Sequence, residues 1–295
     1  MTLPNTFLIG AARCGTTALS RCLARHPQVS IPFKEPDYVC GWNLEPYVGA
    51  SAEFHRKQAS RYVRFEDYSA LYKDSAGAKV ICDASVSSLP AERSAEVIYR
   101  MAPRARMFAV VREPVERAFS HFHFNIALGV ELETDFIAFV HNEPERIRQN
   151  WYPNSRYLET SHYPLQVRRF QARFAVDQLF WATYEDWNDQ PQEFLKRLLG
   201  FLELDDAGDL NAGARVGETV IPSAPWRAVS GVRSVLKQIV PRHLAAPFLG
   251  RIRPRIYSRP RLDPELRREL TERYFREDIL KLQDMLRRDL TAWLE

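Results

Sequence analysis

Short apolar runs alternate with amphipathic helical stretches through the first two-thirds of the chain, and that alternation restricts the possible fold more than any other feature. Thr6 to Gly10 (TFLIG) reads as a strand buried on both faces, and Ala18, Leu19, Cys22 and Leu23 then recur at helical spacing until His26-Pro27. Val29, Ile31 and Phe33 alternate as a second strand, and Lys79 to Ser85 (KVICDAS) gives a third. Pro90 suits the first position of a helix running to about Met101, where its missing N–H costs nothing. Arg106 to Arg112 (RMFAVVR) is a fourth strand, and Pro114 opens the helix after it. Helical patterns follow over about 135–149 and 163–175. Gln178 to Tyr184 (QLFWATY) is a fifth strand, and Pro191 starts a helix with Phe194, Leu195, Leu198 and Leu202 facing inward. The pattern predicts an α/β fold whose parallel sheet of about five strands is flanked by helices.

The alternation fades over about 206–262, a variable stretch with a Pro- and Arg-rich end. Leu266, Leu270, Tyr274, Leu282, Leu286 and Leu290 then recur at helical spacing, so about 263–294 is a helical closing segment. One domain over 1–295, with its core at about 5–205, accommodates all of this. Hydrophobic residues make up 45% of the 295, enough for a sizeable core. The net charge of +4 suits an anionic ligand but does not point to nucleic acid. Cys14, Cys22, Cys40 and Cys82 form no CxxC pair, which favours free thiols in a reducing compartment. With no secretory leader pattern and no apolar run of about 20 residues, the expected location is cytoplasmic.

The turn after the first strand, Gly10-Ala11-Ala12-Arg13-Cys14-Gly15-Thr16-Thr17, has the G-x-x-x-x-G spacing of a phosphate-cradling P-loop. Thr16 stands where a triphosphatase carries lysine, and the cation has moved inside the loop to Arg13. A triphosphate would lose its main counter-charge there, whereas a phosphate bearing a sulfuryl group carries less charge and needs no metal clamp. The fourth strand ends in Arg112-Glu113-Pro114, with Ser120 eight residues on. Strand ends of a parallel sheet gather on one edge, so Arg112 should lie beside the first loop and offer a phosphate its planar fork of donors. An ion pair between Arg112 and Glu116 is the competing reading.

With these motifs in place, the chain resembles the superfamily of sulfotransferases that use 3'-phosphoadenosine-5'-phosphosulfate (PAPS). FLIGAARCGTTAL looks like the 5'-phosphosulfate loop and VVREPVERAFSHF like the 3'-phosphate motif. FKEPDY resembles the Lys-Glu-Pro segment of heparan-sulfate-type and bacterial carbohydrate-type members. The resemblance covers roughly 5–205, and the ending DLTAWLE looks like bacterial members. It implies a P-loop-like fold, PAPS as donor with 3'-phosphoadenosine-5'-phosphate (PAP) as product, and no metal. By motif match Arg13 falls on the catalytic cation and Thr16 and Thr17 on the 5'-phosphate contacts, with Arg13, Cys14, Gly15 and Ala18 also among the expected cofactor-binding residues. Arg112 and Ser120 fall on the 3'-phosphate contacts, and Glu35 on the general base. The acceptor it implies is a hydroxyl of a glycan, glycolipid or other metabolite.

The sequence departs from that pattern in two places. Asp83-Ala84-Ser85-Val86-Ser87-Ser88 replaces the usual acidic-Ala-Ser-Pro-x-Tyr, and the Arg-Lys-Gly segment of small-molecule members is missing, leaving Arg215 and Arg227 as candidates to close the site. Glu35 next to Lys34 also reads as a solvated loop carboxylate, and His121 and His123 compete for the role of base. His55 has no identifiable partner; Trp42, Tyr47 and Trp151 suit sugar stacking or core filling. The stretch Trp226 to Leu249 suits a lid or packed helices. Arg251, Arg253, Arg255, Arg259 and Arg261 suit a solvated loop or an anionic surface. A small-molecule kinase using Mg-ATP, or a non-catalytic nucleotide-binding protein, are the rival readings.

Overall fold

The computed structural model describes residues 2–41, 46–49, 62–206, 208, 210, 221–222, 257–258 and 260–295. Five strands form one sheet: β1 (Thr6–Gly10), β2 (Val29–Ser30), β3 (Val80–Asp83), β4 (Arg106–Val111) and β5 (Leu179–Thr183), in the order β2-β3-β1-β4-β5. Every pairing is parallel, with Thr6 opposite both Cys82 and Arg106, Val29 opposite Val80, and Met107 opposite Leu179. The sequence predicts this α/β arrangement, and the reason is visible in β1. It lies between β3 and β4 and all five of its residues are buried, so it is apolar without alternation. Burying Phe7, Leu8 and Ile9 contributes roughly 1.5–3 kcal/mol each.

The element bounds depart from the sequence reading in two informative places. β2 spans two residues instead of running to Phe33, because Pro32 has no N–H for the ladder and Phe33 turns outward. The helix expected from Pro90 begins at Ser94. Leu89 N donates to Ile9 O at 2.8 Å, which keeps residues 86–89 alongside β1 before the chain can turn into a helix.

The helices are α1 (Thr16–Leu23), α2 (Phe65–Ala70), α3 (Ser94–Met101), α4 (Pro114–Leu128), α5 (Phe136–Arg148), α6 (Tyr163–Gln171), α7 (Tyr184–Asp189) and α8 (Pro191–Phe201). After them come α9 (Pro264–Leu270), a π turn at Thr271–Phe275, and α10 (Arg276–Leu286). A separate antiparallel pair joins β6 (Ile221–Pro222) to β7 (Tyr257–Ser258). The closing segment docks through Thr271, whose hydroxyl donates to Glu113 at 3.1 Å, and through an ion pair between Arg288 and Asp186. The four cysteines are buried, and none is joined in a disulfide. Among the described residues no helix is long and apolar enough to cross a membrane.

The strand order reverses at β1, the place at which ligands bind outside the C-terminal strand ends of open parallel sheets. The C-terminal ends of β1, β3, β4 and β5 lead into 11–15, 84–88, 112–113 and α7, which therefore gather on one edge.

Candidate active site

The loop from β1 to α1 is shaped by two glycines. A Cβ on Gly10 would come within 2.6 Å of Leu89 Cβ, and one on Gly15 within 2.8 Å of Trp187 Cδ1. Gly15 also sits at φ 76°, where a side chain would be strained. Arg13 adopts φ 71° without being glycine, the kind of backbone strain that a functional loop retains. Glu113, Asp135, Thr183 and Asp263 cap α4, α5, α7 and α9 with side-chain oxygens. No side chain caps α1, as is also true of α2, α3, α6, α8 and α10, and its first turn holds no acid. Its leading amides, from Thr16, Thr17 and Ala18, are thus left without a side-chain partner at the positive end of the helix dipole.

The second motif meets this loop directly. Arg13 Nε donates to Ser120 Oγ at 3.2 Å, a bond across 107 residues of sequence, and the guanidinium lies 4.3 Å from the centre of the Phe124 ring. Burial is the main reason that the guanidinium is pushed down to about 10. The Cys14 thiol opposes that shift, Arg112 and Arg117 add to it, and Glu35 opposes it. Arg13 remains a cation at neutral pH. Arg112 lies over the Tyr184 ring at 4.7 Å, its backbone N–H points at the Tyr163 hydroxyl at 3.5 Å, and its Nη2 donates to Glu116 Oε2 at 2.7 Å. The Glu116 ion pair weighed from the sequence is therefore formed, and it holds the guanidinium at this edge of the sheet. Cys14 is a fully buried thiol pushed up to about 11, chiefly by burial, so it is not a nucleophile at neutral pH.

Glu35 follows β2 at φ 62°, with its side chain 42% exposed and paired to Lys34. Its charge acts on Arg13, Asp37 and Asp83, which places these groups in one neighbourhood. Asp83 ends β3 fully buried, receiving bonds from Ser85 N at 2.9 Å, Ser85 Oγ at 2.6 Å and the Tyr68 hydroxyl at 2.7 Å. Ser85 Oγ also accepts from Asp37 N at 3.0 Å, so the segment that departs from the family pattern ties the Glu35 loop to β3. Asp37 sits at φ 55° with Oδ1 enclosed and without a hydrogen-bond partner. Burial first, then Glu35 and Asp83, push its carboxyl well above the usual range. Asp37, Tyr38, Val39, Tyr62 and Val63 line a cavity of about 140 Å³ beside this loop.

Sequence reading missed Asp37, Asp83 and Tyr184; the signal for Asp83 was a carboxylate ending a buried strand. His121 packs on Tyr157 and lies 3.3 Å from Arg117, while His123 bonds to Phe119 O and packs between phenylalanines. Both belong to the core. Trp151 lies under Arg146 and Tyr47 against Tyr152. Arg261 is exposed. Trp42, His55, Arg215, Arg227, the 226–249 stretch and Arg251, Arg253, Arg255 and Arg259 lie outside the described residues. Among the described residues no group of three or more His, Cys, Asp or Glu is arranged to hold a metal.

Fold and edge together define an α/β protein whose β1–α1 loop and the residues after β4 meet at the reversal point of a parallel sheet. The sulfotransferase family model matches residues 4–208, and the chain belongs to that family. A membrane-associated sulfotransferase of Dictyostelium discoideum is 27% identical over 162 residues, 53% of this chain and 31% of its own length. The bifunctional heparan sulfate N-deacetylase/N-sulfotransferase 1 of Caenorhabditis briggsae is 22% identical over 214 residues, 68% of this chain and 23% of its own length. The matched part thus spans less than a third of these curated relatives. The crystal structure of a sulfotransferase from Alicyclobacillus acidocaldarius superposes over 100% of both chains, with a TM-score of 0.78 and 24% identity. That likeness shows the fold.

Proposed function

We propose that the protein is a sulfotransferase that moves a sulfuryl group from PAPS to an acceptor hydroxyl on a glycan, glycolipid or other metabolite. The observation that carries this reading is the Arg13–Ser120 hydrogen bond at the uncapped start of α1. It joins the two phosphate motifs into one cationic edge, with Arg112 alongside. The amides of Gly15 to Ala18 and the Thr16 and Thr17 hydroxyls hold the 5'-phosphosulfate. Arg112 and Ser120 hold the 3'-phosphate.

Glu35 takes the acceptor proton as the acceptor oxygen forms its bond to sulfur. The bond from sulfur to the bridging phosphate oxygen breaks, and Arg13 stabilises the charge that grows on that oxygen. PAP leaves with the bonding pair. Such a loose, in-line transfer depends mainly on positioning and electrostatics. Arg13 acts as a fixed cation, not as a proton donor.

Calorimetric titration tests the reading. PAP should bind without metal, and Arg112→Ala should weaken it ~10–100-fold, the worth of a charge-assisted phosphate contact. Binding of Mg-ATP alone would instead favour a kinase.

A further inference from the structure

Arg117 lies on α4 between Arg112 and Ser120, yet it is 1% exposed and heads the fully buried large side chains. Its Nε donates to Ser161 Oγ at 2.7 Å, and its Nη2 donates to Tyr157 O at 2.5 Å and Thr160 Oγ1 at 2.9 Å. Its Nη1 lies 3.3 Å from His121 Nδ1. A guanidinium only donates, so this nitrogen accepts and carries no proton. Each of these partners is neutral. Among the described residues no acid lies within ion-pair distance of Arg117, whereas the buried Arg146 is met by both oxygens of Glu131.

A buried cation held only by neutral groups costs stability unless something else balances its charge. The Arg117 charge reaches the β1–α1 loop. Among nearby charges it does most to lower the Cys14 thiol against the effect of burial, and it also lowers Arg13. Glu143 is an acid that feels Arg117, but its carboxyl is taken up by Leu158 N at 2.9 Å and Glu159 N at 2.7 Å. Burial pushes Glu143 up to about 7, so near neutral pH it neutralises its surroundings only in part.

We propose that Arg117 is a positioning residue for the bound phosphates, supplying buried positive charge beside the loop without touching the nucleotide. The proposal rests on the reading of that loop as the PAPS site. The ligand that completes the arrangement is an anionic phosphate or phosphosulfate group.

Arg117→Lys and Arg117→Gln both break the fork that holds Tyr157, Thr160 and Ser161, but only lysine keeps the charge. Metal-free PAP titrations at 50 and 200 mM salt, beside thermal unfolding, separate charge from packing. The expected result is PAP binding weakened ~10-fold by Gln and within ~3-fold of wild type for Lys, with similar losses of Tm. Gln should also show the shallower salt dependence. Equal affinities for Lys and Gln would make Arg117 a strut and overturn the proposal. Should both variants fail to fold, the pair Thr160→Val and Ser161→Ala loosens the fork and keeps the charge. Unchanged PAP affinity at reduced Tm then supports the proposal, and lost affinity overturns it. A wild type that does not bind PAP would sink the donor assignment instead.

Discussion

Glu35 and Asp37 stand two residues apart on one loop, and their surroundings separate them. Glu35 reaches solvent and pairs with Lys34, whereas Asp37 Oδ1 is enclosed. Of the two, Glu35 is the carboxylate that an acceptor hydroxyl can reach. Glu35→Gln should therefore lower kcat by ~10²–10⁴ and leave PAP affinity unchanged, as steady-state rates beside titration would show. Near-normal turnover would remove Glu35 from the chemistry. Gly15→Ala combines a left-handed φ with a 2.8 Å approach to Trp187. It should cost roughly 1–3 kcal/mol in urea unfolding and also weaken PAP. The glycines, Arg13, Arg112 and Ser120 were legible because their spacing is local. Asp37 was not, because nothing near it in sequence says that Asp83 and Ser85 will enclose it.

Individual elements carry their own pH response. Glu143 on α5 is buried and holds the amides of residues 158 and 159, the segment that grips Arg117. Its carboxyl rises from an ordinary 4.5 to about 7 because of burial, with the amides of Glu159 and Leu158 opposing the shift. The folded state therefore binds the extra proton between those values. Stability from this group is fully present below about 4.5 and is lost as pH rises through about 7, a change of about 3 kcal/mol. Glu143→Gln should flatten the fall in Tm over that range, which calorimetry at several pH values would reveal. The closing segment offers a second test. Arg288 pairs with Asp186, whose other oxygen caps α7, and α7 carries the Tyr184 ring under Arg112. Arg288→Ala should destabilise the fold by about 1–3 kcal/mol and weaken PAP several-fold, read by unfolding and titration.

For the whole molecule, ligand linkage gives the simplest check. PAP at 100 times its Kd should add ~2.7 kcal/mol to stability and raise Tm by several degrees, with or without a chelator. A shift that needs magnesium and appears only with ATP would count against the donor assignment.

What the sequence determined by itself was what short-range forces encode. Hydrophobic period set the five strands and their helices, and glycine spacing set the turn after β1. Pro32 and Leu89 show where that logic stops, since strand length and helix start were decided by which amides find partners across the sheet. Only the tertiary structure decided which distant groups meet. Arg13 reaches Ser120 across 107 residues, Asp186 meets Arg288 across 102, and Glu113 meets Thr271 across 158. The neutral cage around Arg117 and the enclosure of Asp37 arise in the same way. Burial and charge at a site are sums over neighbours that the packed chain alone brings together, so no local pattern in the sequence can state them.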